Sequence, residues 1–445
     1  MLILGLGVAA SAEWKEKVLY SFQGGADGST PAGGVVFDAA GNLYGATTDG
    51  GSSSCHSIAQ CGTVFQLVPP ARQGDSWTET VVYVFKGNTS NDGTSPAGGV
   101  VIDSSGNLYG TTAYGGTGDC VLLGSKVGCG TVYELSPPKR KGGAWIETVL
   151  YSFPTAEQGY LPNGDLVFDG AGNLYGATEF GGGHGTSCNS LYQYCGAVFE
   201  LSPPKEKGGK WTERVLHGFK GGADGGNPNG GMIFDTKGAI YGTTSAGGNS
   251  ICKGAGFVGC GTVFDLTPPI TKGGEYGEKV LHRFQNYPSD GARPLAGPAI
   301  DGNGNLYSTT TNGGAHAEGT VFKLETSPDI EHPWMETLLH QFTSGRDGSV
   351  PSAALVFGAD GNIYGTASGG GRVGGGTVFQ FRRKPQGGWA FSSLYTFTGA
   401  PDGSSPASRL VLDGARNLYG TTLMSGNTGQ YCGHNGCGTV FEVSP

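Results

Sequence analysis

Charge is scarce in this chain: Asp, Glu, Lys and Arg together make up 14% of its 445 residues. Basic residues number 27 against 36 acidic ones, a net charge of −9. Phosphate backbones need a concentrated basic surface, so nucleic acid is not an expected partner. The short basic clusters Lys139-Arg140-Lys141 and Lys205 to Lys210 fall in turns and read as solvated loop charge. No apolar run approaches the ~18 residues of a spanning helix, so no membrane span is expected. Gly-x-Ser-x-Gly, a phosphate loop and HExxH are also missing, which removes the common nucleophile, nucleotide and zinc-protease signatures.

Glycine, by contrast, is abundant: 86 residues, far above the roughly 7% of average usage. There is no Gly-X-Y period, so collagen is excluded. The glycines gather at turns and long loops between apolar runs, which suits an all-β protein with tight connections. Among them one motif returns on schedule. Gly41-Asn42-Leu43-Tyr44-Gly45 recurs in variants around Tyr109, Tyr175, Tyr241, Tyr307, Tyr364 and Tyr419, at steps of 65, 66, 66, 66, 57 and 55 residues. A period this long means one supersecondary unit used seven times.

Each unit reads as four strands. In the first they are Gly34 to Asp38, Asn42 to Thr48, Gly62 to Leu67 and Trp77 to Phe85, all rich in β-branched and aromatic residues. An Asp-x-x-Gly-Asn turn joins the first two, its glycine at the position needing φ > 0 and its aspartate serving local turn hydrogen bonds. Pro69-Pro70 turns the chain between the last two. Four antiparallel strands repeated seven times predict a seven-bladed β-propeller. A lone fourth strand, Trp14 to Phe22, opens the chain, and a third strand, Gly438 to Val443, ends it. The first segment should therefore complete the last blade and close the ring, giving one propeller over 13–445. All six tryptophans begin fourth strands and read as packing residues; the motif tyrosines read as inter-blade packing.

The ten cysteines pair off as Cys55/Cys61, Cys120/Cys129, Cys188/Cys195, Cys252/Cys260 and Cys432/Cys437, at one place in the repeat. The fifth and sixth repeats lack both members, as local disulfides require, and two cysteines per blade are too few for zinc. Intrablade disulfides imply an oxidising compartment: secreted, periplasmic or cell-surface. Residues 1–12 end in Ala10-Ser11-Ala12 and resemble the apolar core and A-x-A site of a secretion signal, without its charged beginning.

Strand direction alternates, so the second-to-third loops and the fourth-to-first connections share one face. Asp-Gly-x-x-Pro recurs there at Asp27, Asp92, Asp224, Asp290, Asp347 and Asp402. It reads as turn geometry, the competing reading being a ring at the channel mouth for cations or basic groups. No metal site is expected: one aspartate per blade is too sparse for calcium. His56, His184, His316 and His434 also show no ligand spacing.

Departures from symmetry mark where a specific ligand would bind. Blade 3 has Glu157-Gln158-Gly159-Tyr160-Leu161-Pro162 in place of Asp-Gly-x-x-Pro, and Asp165 where its neighbours have Gly34 or Gly99. Glu179 and His184 begin its long loop, and Arg409 takes the position of Asp165 in blade 7. Tyr160, Asp165, Glu179, His184 and Arg409 are the candidate ligand-binding residues. Asp165, Glu179 and Arg409 are the candidates for acid/base chemistry, with drift in solvated loops, or an Asp–Arg pair in a wet channel, as the alternative. No cofactor is implied.

The run Trp-x-Glu-x-Val-Leu-Tyr-x-Phe at Trp145 to Phe153, with Gly24 to Gly28, Val101 to Thr112 and Cys129 to Pro138, resembles the GloVer tandem repeat of exported bacterial proteins. The resemblance covers nearly all of the chain after Ala12. It implies export and carries no established activity and no catalytic residues. The Asp-x-x-Gly-Asn-Leu-Tyr turn is also similar to NHL and gluconolactonase-type propellers, at structural positions only. The leading expectation is an extracytoplasmic propeller that binds a glycan, peptide or protein on its loop-rich face. The alternatives are a lyase or hydrolase acting on a polysaccharide or lactone at the channel mouth, and a structural or self-assembling surface protein.

Overall fold

The repeat unit becomes an antiparallel sheet, and seven such sheets follow one another around a closed ring, a seven-bladed β-propeller. The computed structural model describes residues 13–445 apart from 52–60, 73, 88–90, 123, 141, 183–194, 207, 249–251, 253–258, 272, 286–287, 330–332, 427–430 and 433–434. The expected signal over 1–12 lies outside the described residues. In blade 1, Val36–Phe37, Leu43–Thr47, Thr63–Val68 and Thr78–Val84 lie side by side in that order. The ring closes as the repeat count predicts. Lys15–Ser21 pairs antiparallel with Thr439–Ser444, from Lys15 opposite Ser444 to Ser21 opposite Thr439. Thr421 Oγ1 fastens the same seam, donating to the carbonyls of Pro31 at 3.1 Å and Gly33 at 3.0 Å. Closure joins the last blade to the first, so no blade face at the seam is left uncovered.

The core lies between blades, because each sheet has two faces and only a neighbouring blade can cover them. The phenylalanine ending each fourth strand meets the aromatic of the next blade's third strand. Phe22 meets Phe65 with centroids 5.1 Å apart, Phe85 meets Tyr133 at 5.0 Å, and Phe397 meets Phe441 at 5.0 Å. All are fully buried. The third-strand ring needs space on the second strand. A Cβ at Gly45 would stand 2.5 Å from Phe65 Cζ, so the motif's tyrosine is followed by glycine to admit this ring.

The motif tyrosines cross blade boundaries. Tyr44 lies 5.9 Å from Trp145, Tyr307 6.0 Å from Trp389, and Tyr364 6.4 Å from Trp14. Each hydroxyl returns to its own turn: Tyr44 donates to Asp38 Oδ2 at 3.2 Å, while Asp38 Oδ1 accepts from Ala40 N and Asn42 N. Gly41 there has φ +84°, as the turn requires.

The residue before each blade's entry proline is left-handed: Thr30, Ser95, Leu161, Asn227, Arg293, Val350 and Ser405 have φ between 53° and 58°. Each costs about 1 kcal/mol. The cost is offset by a hydrogen bond to the preceding blade, as from Asn227 N to Cys195 O at 2.9 Å and Arg293 N to Cys260 O at 2.8 Å. The Asp-Gly aspartates sit against the outermost strand, which corrects the picture of a ring at the channel mouth. Asp27 accepts from Tyr20 Oη at 2.9 Å and Gln23 N at 2.8 Å. Asp92 accepts from Tyr83 Oη at 2.8 Å and Lys86 N at 2.9 Å.

Cys120–Cys129, Cys252–Cys260 and Cys432–Cys437 are disulfides. Cys61 and Cys195 are disulfide-bonded too; Cys55 and Cys188 lie outside the described residues. Such bonds persist outside reducing compartments. Among the described residues no helix is long and apolar enough to cross a membrane.

Candidate functional site at the channel mouth

After its entry proline each blade places two or three residues along the channel. Here backbones meet directly: a Cβ at Gly33 would overlap Gly99 N, and one at Gly98 would overlap Gly164 O. Glycine is thus a steric requirement at these two positions, where Ala296, Ala353 and Ser408 stand in blades 5 to 7, and the cavity is walled mainly by backbone and small side chains. The cavity measures about 220 Å³. Among the described residues its only charged lining is Asp165 of blade 3 and Arg409 of blade 7, which stand across the ring from one another. A second cavity of about 200 Å³ continues along the innermost strands and shares both residues.

Asp165 is oriented by Gly99 N, which donates to its Oδ1 at 2.8 Å. That bond spans blades 2 and 3 and leaves Oδ2 without a hydrogen bond among the described residues. Arg409 forms no hydrogen bond or ion pair with a described side chain, so the Asp–Arg pair considered from sequence is not a direct salt bridge.

Glu179 stands off this cavity, at the end of the second strand of blade 3, Leu174–Phe180. It is joined to the mouth through Asn163, whose Nδ2 donates to Glu179 Oε2 at 3.4 Å and Asn229 Oδ1 at 3.3 Å. Burial holds the Glu179 carboxyl above its ordinary range, opposed by the Asn163 amide and the charge of Arg293. Tyr160 stacks on Phe180 at 5.3 Å with planes 23° apart. Burial raises the phenols of Tyr160 and Tyr114, with Glu179 adding to both.

Asp165 and Arg409 therefore share one cavity, and Tyr160 and Glu179 form an adjoining cluster. His184 lies outside the described residues, as do His56 and His434, and His316 is exposed. Sequence reading missed Asn163, Asn229, Arg293 and Tyr114. The first two had a signal, since they take the position held by Ala32 and Ala97 in blades 1 and 2.

A family model described as Gloeobacter/Verrucomicrobia repeat matches residues 8–188, 120–327 and 250–445. No curated protein matches. Among solved structures, an aldose sugar dehydrogenase from Streptomyces coelicolor in its PQQ-bound form is 14% identical, covering 98% of this chain and 100% of its own at TM-score 0.43. A gluconolactonase from Xanthomonas campestris is 14% identical over 71% of this chain and 78% of its own, at TM-score 0.35. A putative gluconolactonase is 14% identical over 71% and 80%, at TM-score 0.34. Likenesses this distant leave the chemistry to be read from the chain's own residues.

Proposed function

The chain belongs to the Gloeobacter/Verrucomicrobia repeat family, and on that footing we propose that it is an extracytoplasmic binding protein holding one sugar unit of a glycan at the channel mouth. The observation carrying this reading is the pair Asp165 and Arg409, the only charged residues among the described ones that line a cavity walled mostly by glycine, alanine and serine. A carboxylate and a guanidinium on opposite walls suit a neutral ligand dense in hydroxyls, which donate to one and accept from the other. The 220 Å³ cavity is smaller than the roughly 300–1,000 Å³ of drug-sized sites, so it fits a single ring rather than a chain. The disulfides support export, and the rigid backbone walls favour recognition over induced closure.

The test is calorimetry and a glycan array on purified protein, repeated with Asp165→Asn and Arg409→Ala. Binding that falls at least tenfold in each variant supports the reading; no glycan bound, or unchanged binding in both variants, overturns it. One observation favours a second reading, a lyase or hydrolase. Glu179 keeps a raised carboxyl, as a general acid needs. It stands outside the cavity, however, and would reach a substrate only through Asn163. Turnover of a polysaccharide or lactone that Glu179→Gln abolishes would establish that alternative.

A further inference from the structure

Two residues past the start of its fourth strand, six of the seven blades carry a glutamate: Glu16, Glu79, Glu147, Glu213, Glu278 and Glu336. Each has an Oε1 that is buried and without a hydrogen-bond partner among the described residues. Each looks across a blade boundary at the preceding fourth strand, and in five of the six places the Asp-Gly aspartate joins the pair. The third corner is a tyrosine at Tyr20, Tyr83, Tyr151 and Tyr395, whose hydroxyl can donate a proton and satisfy the carboxylates. In three consecutive blades it is instead histidine: His217, His282 and His340. A neutral imidazole offers a lone pair that can ligate a metal.

Among the described residues, only one of the three histidine boundaries brings the full set together. His282 Nε2 lies 3.3 Å from Asp290 Oδ2 and 3.9 Å from Glu336 Oε2, and one ligand atom from each of the three lies within 4.8 Å of the others. Zinc bonds of about 2.0–2.2 Å to nitrogen and oxygen place tetrahedral donors roughly 3.3–3.6 Å apart. Asp290 is already oriented, accepting from Gln285 N at 2.8 Å and Gly291 N at 2.6 Å, the outer-shell support that metal-bound carboxylates have. No lysine or arginine pairs with Asp290 or Glu336 among the described residues.

The other two boundaries show what is missing. At His217 the aspartate is farther, 3.7 Å to Asp224 Oδ2, and Arg283 and Lys220 already act on Glu278. At His340 the glutamate is replaced by Phe391, which stacks on the imidazole.

We propose that His282, Asp290 and Glu336 form a zinc site between blades 4 and 5, with a fourth position left for water. Imidazole with two carboxylates suits zinc, whereas calcium takes six to eight oxygens. The site is independent of the sugar-binding reading, since it lies on the outer strands and away from the channel.

The test uses tag-free, chelator-stripped protein titrated with zinc chloride and, separately, calcium chloride, read by calorimetry and by Tm. The expected result is one equivalent of zinc bound, a raised Tm and no comparable calcium binding. His282→Tyr installs the residue used by four other blades, so folding should survive. It should weaken zinc by more than the roughly 10–100-fold that losing an outer-shell partner costs, and Glu336→Gln should do likewise. His217→Tyr and His340→Tyr should leave binding unchanged. No zinc uptake, or uptake that both His282→Tyr and Glu336→Gln leave intact, overturns the proposal and makes the cluster a packed, proton-sharing joint like those of the tyrosine blades.

Discussion

His340 lies face to face on Phe391, with ring centroids 3.9 Å apart and planes 1° from parallel, at the position where six blades place a glutamate. Burial pushes the imidazole below its ordinary pKa, while Asp347, 3.0 Å from its Nε2, pulls it back up. His340 should therefore titrate below about 6.5, as followed by NMR of its ring protons. Phe391→Glu replaces the stacked ring with a second carboxylate and should raise that value. A titration point that rises no further in the variant would count against the placement of residue 391.

The boundary glutamates give stability a pH dependence of known sign. Burial, assisted by a neighbouring aspartate, raises Glu16 to about 8 and Glu79 and Glu147 to about 7. With folded values above the unfolded value near 4.3, the native state binds more protons between them. Stability should thus fall as pH rises from about 4.5 through 8 and level off above. Denaturant unfolding across that range measures it. Glu79→Gln and Glu147→Gln keep a neutral group in place and should flatten the slope, each by its own share.

Trp145 stands against Tyr44 across the boundary of blades 1 and 2, half-buried. Truncation to alanine should destabilise by about 2–3 kcal/mol, below the 3–5 of a fully buried tryptophan. Tyr44→Phe should cost less, about 1–2 kcal/mol, because it loses the bond to Asp38 and the one from Gln66 while keeping the ring. Urea midpoints of the two variants check the ranking.

The disulfides are local, closing sequence separations of 9, 8 and 5 residues. Loops this short contribute about 2–3 kcal/mol each on chain-entropy grounds. Reduction should lower Tm without opening the ring, and thiol titration of unreduced, denatured protein should find fewer than one free thiol. About ten reactive thiols would remove both the bonds and the argument for export.

One strand completes the last blade at the seam. Removing residues 1–22 takes away Lys15–Ser21 and Phe22, exposing the unpaired edge of Thr439–Ser444 and the Phe65 face. Open edges of this kind recruit other chains. The truncated protein should aggregate or oligomerise in size-exclusion chromatography while the full chain does not.

Much of this was legible in the chain itself. The spacing of Tyr44, Tyr109 and their five successors determined the blade count. The β-branched and aromatic runs around them marked the strands, whereas the ring of Phe65 that occupies the space beside Gly45 became visible only in the fold. The extra fourth strand at Trp14 determined the closure. Asp165 and Arg409 stood out because each breaks a pattern, and they do line one cavity. What sequence left undecided was which positions meet across a blade boundary. His282, Asp290 and Glu336 are spread over 55 residues and belong to two blades and the loop between them. Nothing local links them. Likewise the Asp-Gly aspartates have the same sequence surroundings whether they face the channel or the outer strand. Hydrogen bonding inside a repeat is a matter of neighbours along the chain, and repetition reveals it; contacts between repeats depend on how far each sheet is rotated against the next, and only the closed ring sets that angle.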